Sequence, residues 1–212
     1  MAEEFQENLS INVQENVAMG DGIGGGKKED PAARQKEADM KYLERYVKPH
    51  NKPSRLVTEA DIPRMLDEAK VMLALCSIPH GYAGGAAAIA HTQIDDKDPL
   101  RCFVLKDGFL IVNPVITSHT NAYVDRKEGC MSFPAEDQIT VQRFNRITVE
   151  FQAVTPSKDD PNKLVLSETR EENLSGHVSH VFQHECSHLA GISIYDSIYT
   201  PESCLGVPQK KE

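Results

Sequence analysis

The chain reads as an α+β domain, with mostly antiparallel sheet packed around a central helix that carries H-E-x-x-H. Three features carry that expectation. Runs rich in β-branched and aromatic residues fall together between residues 102 and 167, with no helical pattern alternating among them. Two amphipathic patterns with helical spacing precede them, at residues 37–48 and 62–77. One long helical segment follows, residues 175–191, and contains Gln183-His184-Glu185-Cys186-Ser187-His188.

In chain order, residues 1–36 are polar and read as a flexible arm. Their Gly20-to-Lys28 stretch has Asp21 where a phosphate-cradling loop needs Gly, and Lys28 where it needs Ser or Thr. Met40, Leu43, Tyr46 and Val47 form one helical stripe that stops before Pro49. Thr58-x-x-Asp61 resembles a capping box, with Pro63 suited to the first turn of the helix that follows. A turn at Pro79-His80-Gly81 leads into Gly84 to Gln93, whose small residues permit close backbone approach. Residues 102–105 and 109–116 are β-rich, joined by the hairpin signal Lys106-Asp107-Gly108; Pro114 demotes the middle of the second run to an edge or a bend. Further strands fall near 139–142, 147–154 and 163–167, with 155–162 a polar turn. Ser175 suits an N-cap and Gly191 a C′ position, so the last helix spans the residues between. Residues 192–198 read as a final strand and 201–212 as a loose tail, which leaves 37–200 as the folded domain.

A net charge of −9 argues against broad binding to a phosphate backbone, and no direct nucleic-acid site is evident. Five cysteines without paired spacing suit a reducing compartment. The acidic N-terminus lacks a signal-like apolar segment, and no run of about 18 apolar residues occurs. The expected location is therefore cytoplasmic, away from membranes.

On a helix, His184 and His188 are four apart and share a face, so both imidazoles can reach one ion. Glu185 lies roughly 100° further round, within reach of a water at that ion without being a ligand. Leu174, Val178, Val181, Phe182 and Leu189 form the apolar arc, and the two His stand at its rim. Two His do not close a site. A third His at the metzincin spacing is absent, since Ile194 stands there, and Glu202 is the only downstream acid before the terminal Glu212. The remaining ligand must come from upstream, with Cys130 the leading candidate: a soft thiolate beside Gly129. Taken by itself, Cys130 reads more readily as a small buried hydrophobe.

Glu128-Gly129-Cys130-Met131-Ser132 resembles the E-G-C-L-S motif of peptide deformylases, and residues 183–188 resemble their Q-H-E-x-D-H. Ala86 to Gln93 matches their G-x-G-φ-A-A-x-Q loosely, through Ile89, Ala90 and Gln93; Asn113-Pro114 matches an upstream N-P pair. The resemblance runs in order from about Asp61 to Asp196 and implies the deformylase fold. It implies removal of the formyl group from the N-terminal formyl-methionine of nascent polypeptides. Cys130, His184 and His188 become the metal ligands, leaving one position for water. Glu185 becomes the proton acceptor. The Gln93 amide and the Met131 backbone N–H become donors to the developing oxyanion. His180, Val181 and Ile89 fall on the substrate side. The implied cofactor is Fe²⁺ or Zn²⁺, with Ni²⁺ and Co²⁺ also accepted by this ligand set. The implied partners are N-formylmethionyl nascent peptides and, through them, the ribosome, although the short tail offers no basic helix for docking.

The chain departs from that pattern in places. Ser187 replaces an Asp that would support the site. Ala86 and Ala88 stand where Gly is usual, His91 where a second Ala is usual, and His180 where an apolar residue is commoner. His180 reads as a polar rim residue or as a sign of altered substrate preference, His177 as solvated and Cys186 as packing. Glu128 and Arg143 are expected to pair and brace the Cys130 loop. These departures keep two alternatives open: a metallohydrolase on the same scaffold with a different N-acyl or peptide substrate, and an inactive metal-containing peptide binder. The presence of Glu185 and Gln93 argues against the binder.

Overall fold

The computed structural model describes residues 31–47, 52–79, 84–134 and 137–206. Helix α1 spans Pro31–Tyr46 and α2 spans Ile62–Cys76. Five strands, β1 (Ala88–Ala90), β2 (Cys102–Leu105), β3 (Leu110–His119), β6 (Arg146–Gln152) and β9 (Arg170–Ser175), form one antiparallel sheet in the order β1-β2-β3-β6-β9. The strands β4 (Tyr123–Glu128) and β5 (Ile139–Phe144) pair with each other, as do β7 (Val154–Pro156) and β8 (Leu164–Leu166). Helix α3, Gly176–Leu189, carries the H-E-x-x-H residues.

Side chains of a strand alternate between the faces of its sheet, and here the alternation separates two cores. Ile89, Cys102, Val104, Leu110 and Val112 pack with Met65, Met72 and Leu75 of α2. Their neighbours Ala88, Ala90, Phe103 and Ile111 pack with Phe182, Cys186 and Leu189 of α3. The β1–β3 part of the sheet is thus buried on both faces, with α2 on one side and α3 on the other. Phe182 sits between Phe103 and Phe151, at ring-centroid distances of 5.0 and 6.1 Å, so truncating it to Ala would remove about 3–5 kcal/mol.

Local chemistry accounts for the junctions. The Asp61 carboxylate accepts from both the N–H and the hydroxyl of Thr58, 2.8 Å each, and α2 starts directly afterwards. Gly85, at φ +119°, lets the chain pass against α2, since a Cβ there would lie 2.3 Å from the Cys76 carbonyl oxygen. Gly108 takes φ +93° in the β2–β3 hairpin. Pro114 does not end β3: the register shifts between Val112 and Val115, with Asn113 at φ 52°. The Asn113 side chain exchanges two hydrogen bonds with the backbone of Val57, which fastens the segment before α2 to this bulge.

Several expectations are corrected. The first helix starts at Pro31, inside the stretch read as a flexible arm. Neither β4 nor β9 was expected, and Val178 of α3 is 49% exposed, outside the apolar arc. Residues 192–198 are turns: Ser193 N–H donates to the Asp196 carboxylate (2.7 Å) and Asp196 N–H to the Ser193 carbonyl (3.1 Å). The segment read as a loose tail begins with a 3₁₀ turn, Pro201–Leu205, that buries Cys204 against the α3 core. Arg101, fully buried, ties this turn to the sheet by donating to the carbonyls of Pro114 and Gly206 at 2.9 and 3.0 Å. Residues 1–30, the turn at His80-Gly81 and residues 207–212 lie outside the described residues. Among the described residues, no helix is long and apolar enough to cross a membrane.

Candidate metal centre

Helix α3 is held at both ends and in its middle. At its start Gly176 takes φ +63°, turning the chain out of β9. In the middle, the Gln183 amide accepts from Phe144 N–H (2.8 Å) and donates to Phe144 C=O (2.9 Å), clamping the helix to the end of β5. At its end, the Leu189 carbonyl, one of the groups a helix leaves unpaired, accepts from the N–H and hydroxyl of Ser54 at 2.9 and 2.7 Å. Gly191 follows at φ +77°, and a Cβ there would meet Lys52 and Pro53 at 2.9 Å.

The rings of His184 and His188 meet edge to face with centroids 4.6 Å apart. Cys130, just past β4, brings its sulfur to 3.4 Å from His188 Nε2. One ligand atom from each of Cys130, His184 and His188 lies within 4.8 Å of the other two. His184 Nδ1 sits 2.8 Å from the Glu128 carboxylate, which can only accept; that proton placement leaves Nε2 as the free donor atom for the cluster. Burial opposes a charge on His184, but Cys130 and Glu128 beside it outweigh burial and raise its pKa to about 10. A cluster of one thiol and two imidazoles that attracts positive charge fits a divalent cation, and the soft sulfur suits a transition-type ion better than magnesium or calcium.

Arg143 secures this arrangement. It is fully buried and donates to both oxygens of Glu128, at 3.0 and 2.7 Å, as expected from the sequence. Although burial opposes it, the His184 and Arg143 hydrogen bonds hold the Glu128 carboxyl down at about 2. Ser187 donates to the Gln183 carbonyl (2.8 Å) and lies 3.5 Å from Arg143 Nη1, so the guanidinium meets a hydroxyl there and not a carboxylate.

Glu185 is buried and its Oε2 has no hydrogen-bond partner among the described residues. Burial pushes its carboxyl up to about 7, poised to take and return a proton near neutral pH. Gln93 is fixed by the Ala90 N–H, which donates to its Oε1 at 2.9 Å. Its amide nitrogen consequently faces the cluster, 3.6 Å from the Cys130 sulfur and 3.2 Å from the Ser132 hydroxyl. Ser132 had no expected role; its N–H also lies 3.5 Å from that sulfur. Neither Ala86 nor Ala88 takes a positive φ, so the loop carrying Gln93 tolerates alanine there without strain.

A cleft of about 240 Å³ opens beside the cluster, walled by Ala86, Ala88, Met131 and Val181, with His180, Gln93 and Glu185 on its lining. Ile89 is not on it. Alternation along β1 turns that side chain to the opposite face, into the α2 core, which corrects its expected place on the substrate side. His177, expected to be solvated, is exposed at the cleft, and Cys186 is buried in the α3 core.

The family model described as polypeptide deformylase matches residues 51–204. The chain belongs to that family. A peptide deformylase of Thermus thermophilus is 33% identical over 108 residues, covering 51% of this chain and 50% of that protein. One from Staphylococcus epidermidis is 31% identical over 127 residues, or 56% and 63% respectively. The chain thus spans about half the length of the curated relatives it matches. The crystal structure of peptide deformylase from Thermotoga maritima is 28% identical and superposes with a TM-score of 0.53, over 70% of this chain and 90% of that one. A bacteriophage VP16T deformylase, 24% identical, shares the fold at a TM-score of 0.53, over 71% and 99%.

Proposed function

We propose that this chain is a metal-dependent amide hydrolase that removes the formyl group from the N-terminal formyl-methionine of nascent polypeptides. One observation carries the reading: the donor atoms of Cys130, His184 and His188 converge within 4.8 Å beside a buried Glu185 oxygen that has no partner among the described residues. Cys130, His184 and His188 would hold Fe²⁺ or Zn²⁺, which would supply Lewis acidity at the site when bound. Glu185 takes a proton from the water that attacks the formyl carbon. The Gln93 amide and the Met131 backbone N–H donate to the oxygen as it gains charge, and the loss of one such donor costs about 3–4 kcal/mol of barrier. Glu185 then passes its proton to the departing amine, freeing the peptide and formate. The cleft beside the cluster receives the first side chain. Nascent chains as substrates imply work beside the ribosome.

The test compares formyl-methionyl, acetyl-methionyl and unblocked peptides, with metal analysis of the same protein. Turnover confined to formyl peptides supports the proposal. Turnover of acetyl peptides points to another N-acyl substrate, and tight binding without turnover to an inactive binder.

A further inference from the structure

The 3₁₀ turn His91–Gln93, which presents the Gln93 amide to the cluster, has the fully buried His91 at its head. Both nitrogens of that imidazole are engaged. The Leu100 N–H, which can only donate, lies 3.2 Å from Nδ1, so Nδ1 is the bare acceptor and the proton sits on Nε2. Nε2 in turn donates to the Glu68 carboxylate of α2 at 2.6 Å. Burial opposes a charge on Glu68, but hydrogen bonds from His91 and Arg64 outweigh it and hold the carboxyl below its ordinary range. It is therefore an ionised acceptor at neutral pH. The His91 carbonyl closes the same turn by accepting from the N–H groups of Ile94 and Asp95, 3.0 Å each. Its neighbours in the turn give no such anchorage. The Thr92 hydroxyl has no hydrogen-bond partner among the described residues, and the Gln93 amide is directed at Cys130 and Ser132. The motif that this stretch resembles has Ala where His91 stands, and Ala could make neither side-chain bond.

We propose that His91, with Glu68 as its acceptor, is a positioning residue that holds the Gln93 amide where the oxyanion develops. This rests on the hydrolase reading for the role of Gln93, but the hold on the amide can be measured separately. A donor to developing charge acts through geometry set beforehand, and a displacement of about 1 Å can cost up to about 100-fold in rate. β1 fixes the chain as far as Ala90, whose N–H orients the Gln93 amide, and His91 then pins the next residue to α2 and to Leu100.

The experiment measures kcat and KM of the zinc-loaded protein on a formyl-methionyl tripeptide. His91→Ala and Glu68→Ala should each lower kcat about tenfold and leave KM within about twofold, because the oxyanion exists only after attack. Glu68→Gln keeps a carbonyl acceptor for Nε2 and should recover most of the loss. On a Gln93→Ala background, Glu68→Ala should change kcat by less than about twofold, since the group it helps to place is gone. Glu68 is part-exposed on a helix that accepts Ala well, so its variants serve if His91→Ala does not fold. NMR of the ¹⁵N-labelled protein gives a readout without turnover. The Gln93 side-chain signals, assigned by their loss in Gln93→Ala, should shift in Glu68→Ala and return in Glu68→Gln. An unchanged kcat, a change confined to KM, or a loss undiminished on the Gln93→Ala background overturns the inference. If no formyl peptide is turned over, the hydrolase reading fails, and the Gln93 signals alone decide: unmoved in Glu68→Ala, they overturn the hold by His91.

Discussion

Two charged networks flank the site and differ in their contact with water. The inner one joins Glu128, Arg143 and His184, with side chains 13%, 0% and 13% exposed. The outer one runs from Asp61 and Asp98 through Arg55 and Arg64 to Asp95, Glu68 and His91, beneath the turn that presents Gln93. In the outer network each arginine has at least two carboxylates, and water reaches most of them. In the inner network one guanidinium and one carboxylate depend on each other, and the carboxylate also orients His184. Similar ion-pair chemistry thus has different consequences: redundancy and solvent buffer the outer network, while the inner one has no substitute for either partner.

The sharpest way to break this comparison is Arg143→Ala. It strands the Glu128 carboxylate in a buried setting and should lower unfolding free energy by about 3–5 kcal/mol, read from urea denaturation. An unchanged midpoint would mean that water already reaches the pair. Next, Glu128→Gln keeps the shape but weakens the hold on His184 Nδ1, so metal affinity should fall about 10–100-fold in chelator competition. Asp61→Asn in the outer network should cost only about 1 kcal/mol, because Arg55 keeps Asp98. The smallest effect is in acid. The Arg55 hydrogen bonds are the main cause holding the Asp61 carboxyl well below the usual carboxylate range. Its folded pKa therefore lies below its unfolded one, and its contribution is complete above the unfolded value of about 4 and fades as pH falls further. Urea midpoints between pH 6 and pH 2 should fall less steeply in Asp61→Asn than in the unaltered protein.

The inner network was more legible in the sequence than the outer. Residues four apart on one helix meet on one face by geometry, so His184 and His188 could be placed with no knowledge of the fold. The Glu128–Arg143 pair was expected from the resemblance to peptide deformylases together with a strand set just after the Cys130 motif. Glu68 and His91 are far apart in sequence, and only the passage of β1 alongside α2 brings them to 2.6 Å. Among strands, β4 and β9 escaped notice because they are rich in charge and mostly exposed, which hides the period of two. Residues 192–198 misled in the opposite direction. Ile192, Ile194 and Tyr195 look strand-like, but Ser193 and Asp196 close a turn that overrides propensity. Ile89 was read correctly as apolar and assigned to the wrong side, because its face depends on the register of β1 against β2.

The two hydrogen bonds from Ser54 to Leu189 reach across 135 positions of chain to the last turn before Gly191. They set a limit on how far the protein can be trimmed from its front end. A shortened form starting beyond Ser54 would release the helix terminus next to His188, so fraying would begin at that residue and the cluster would loosen before the core melts.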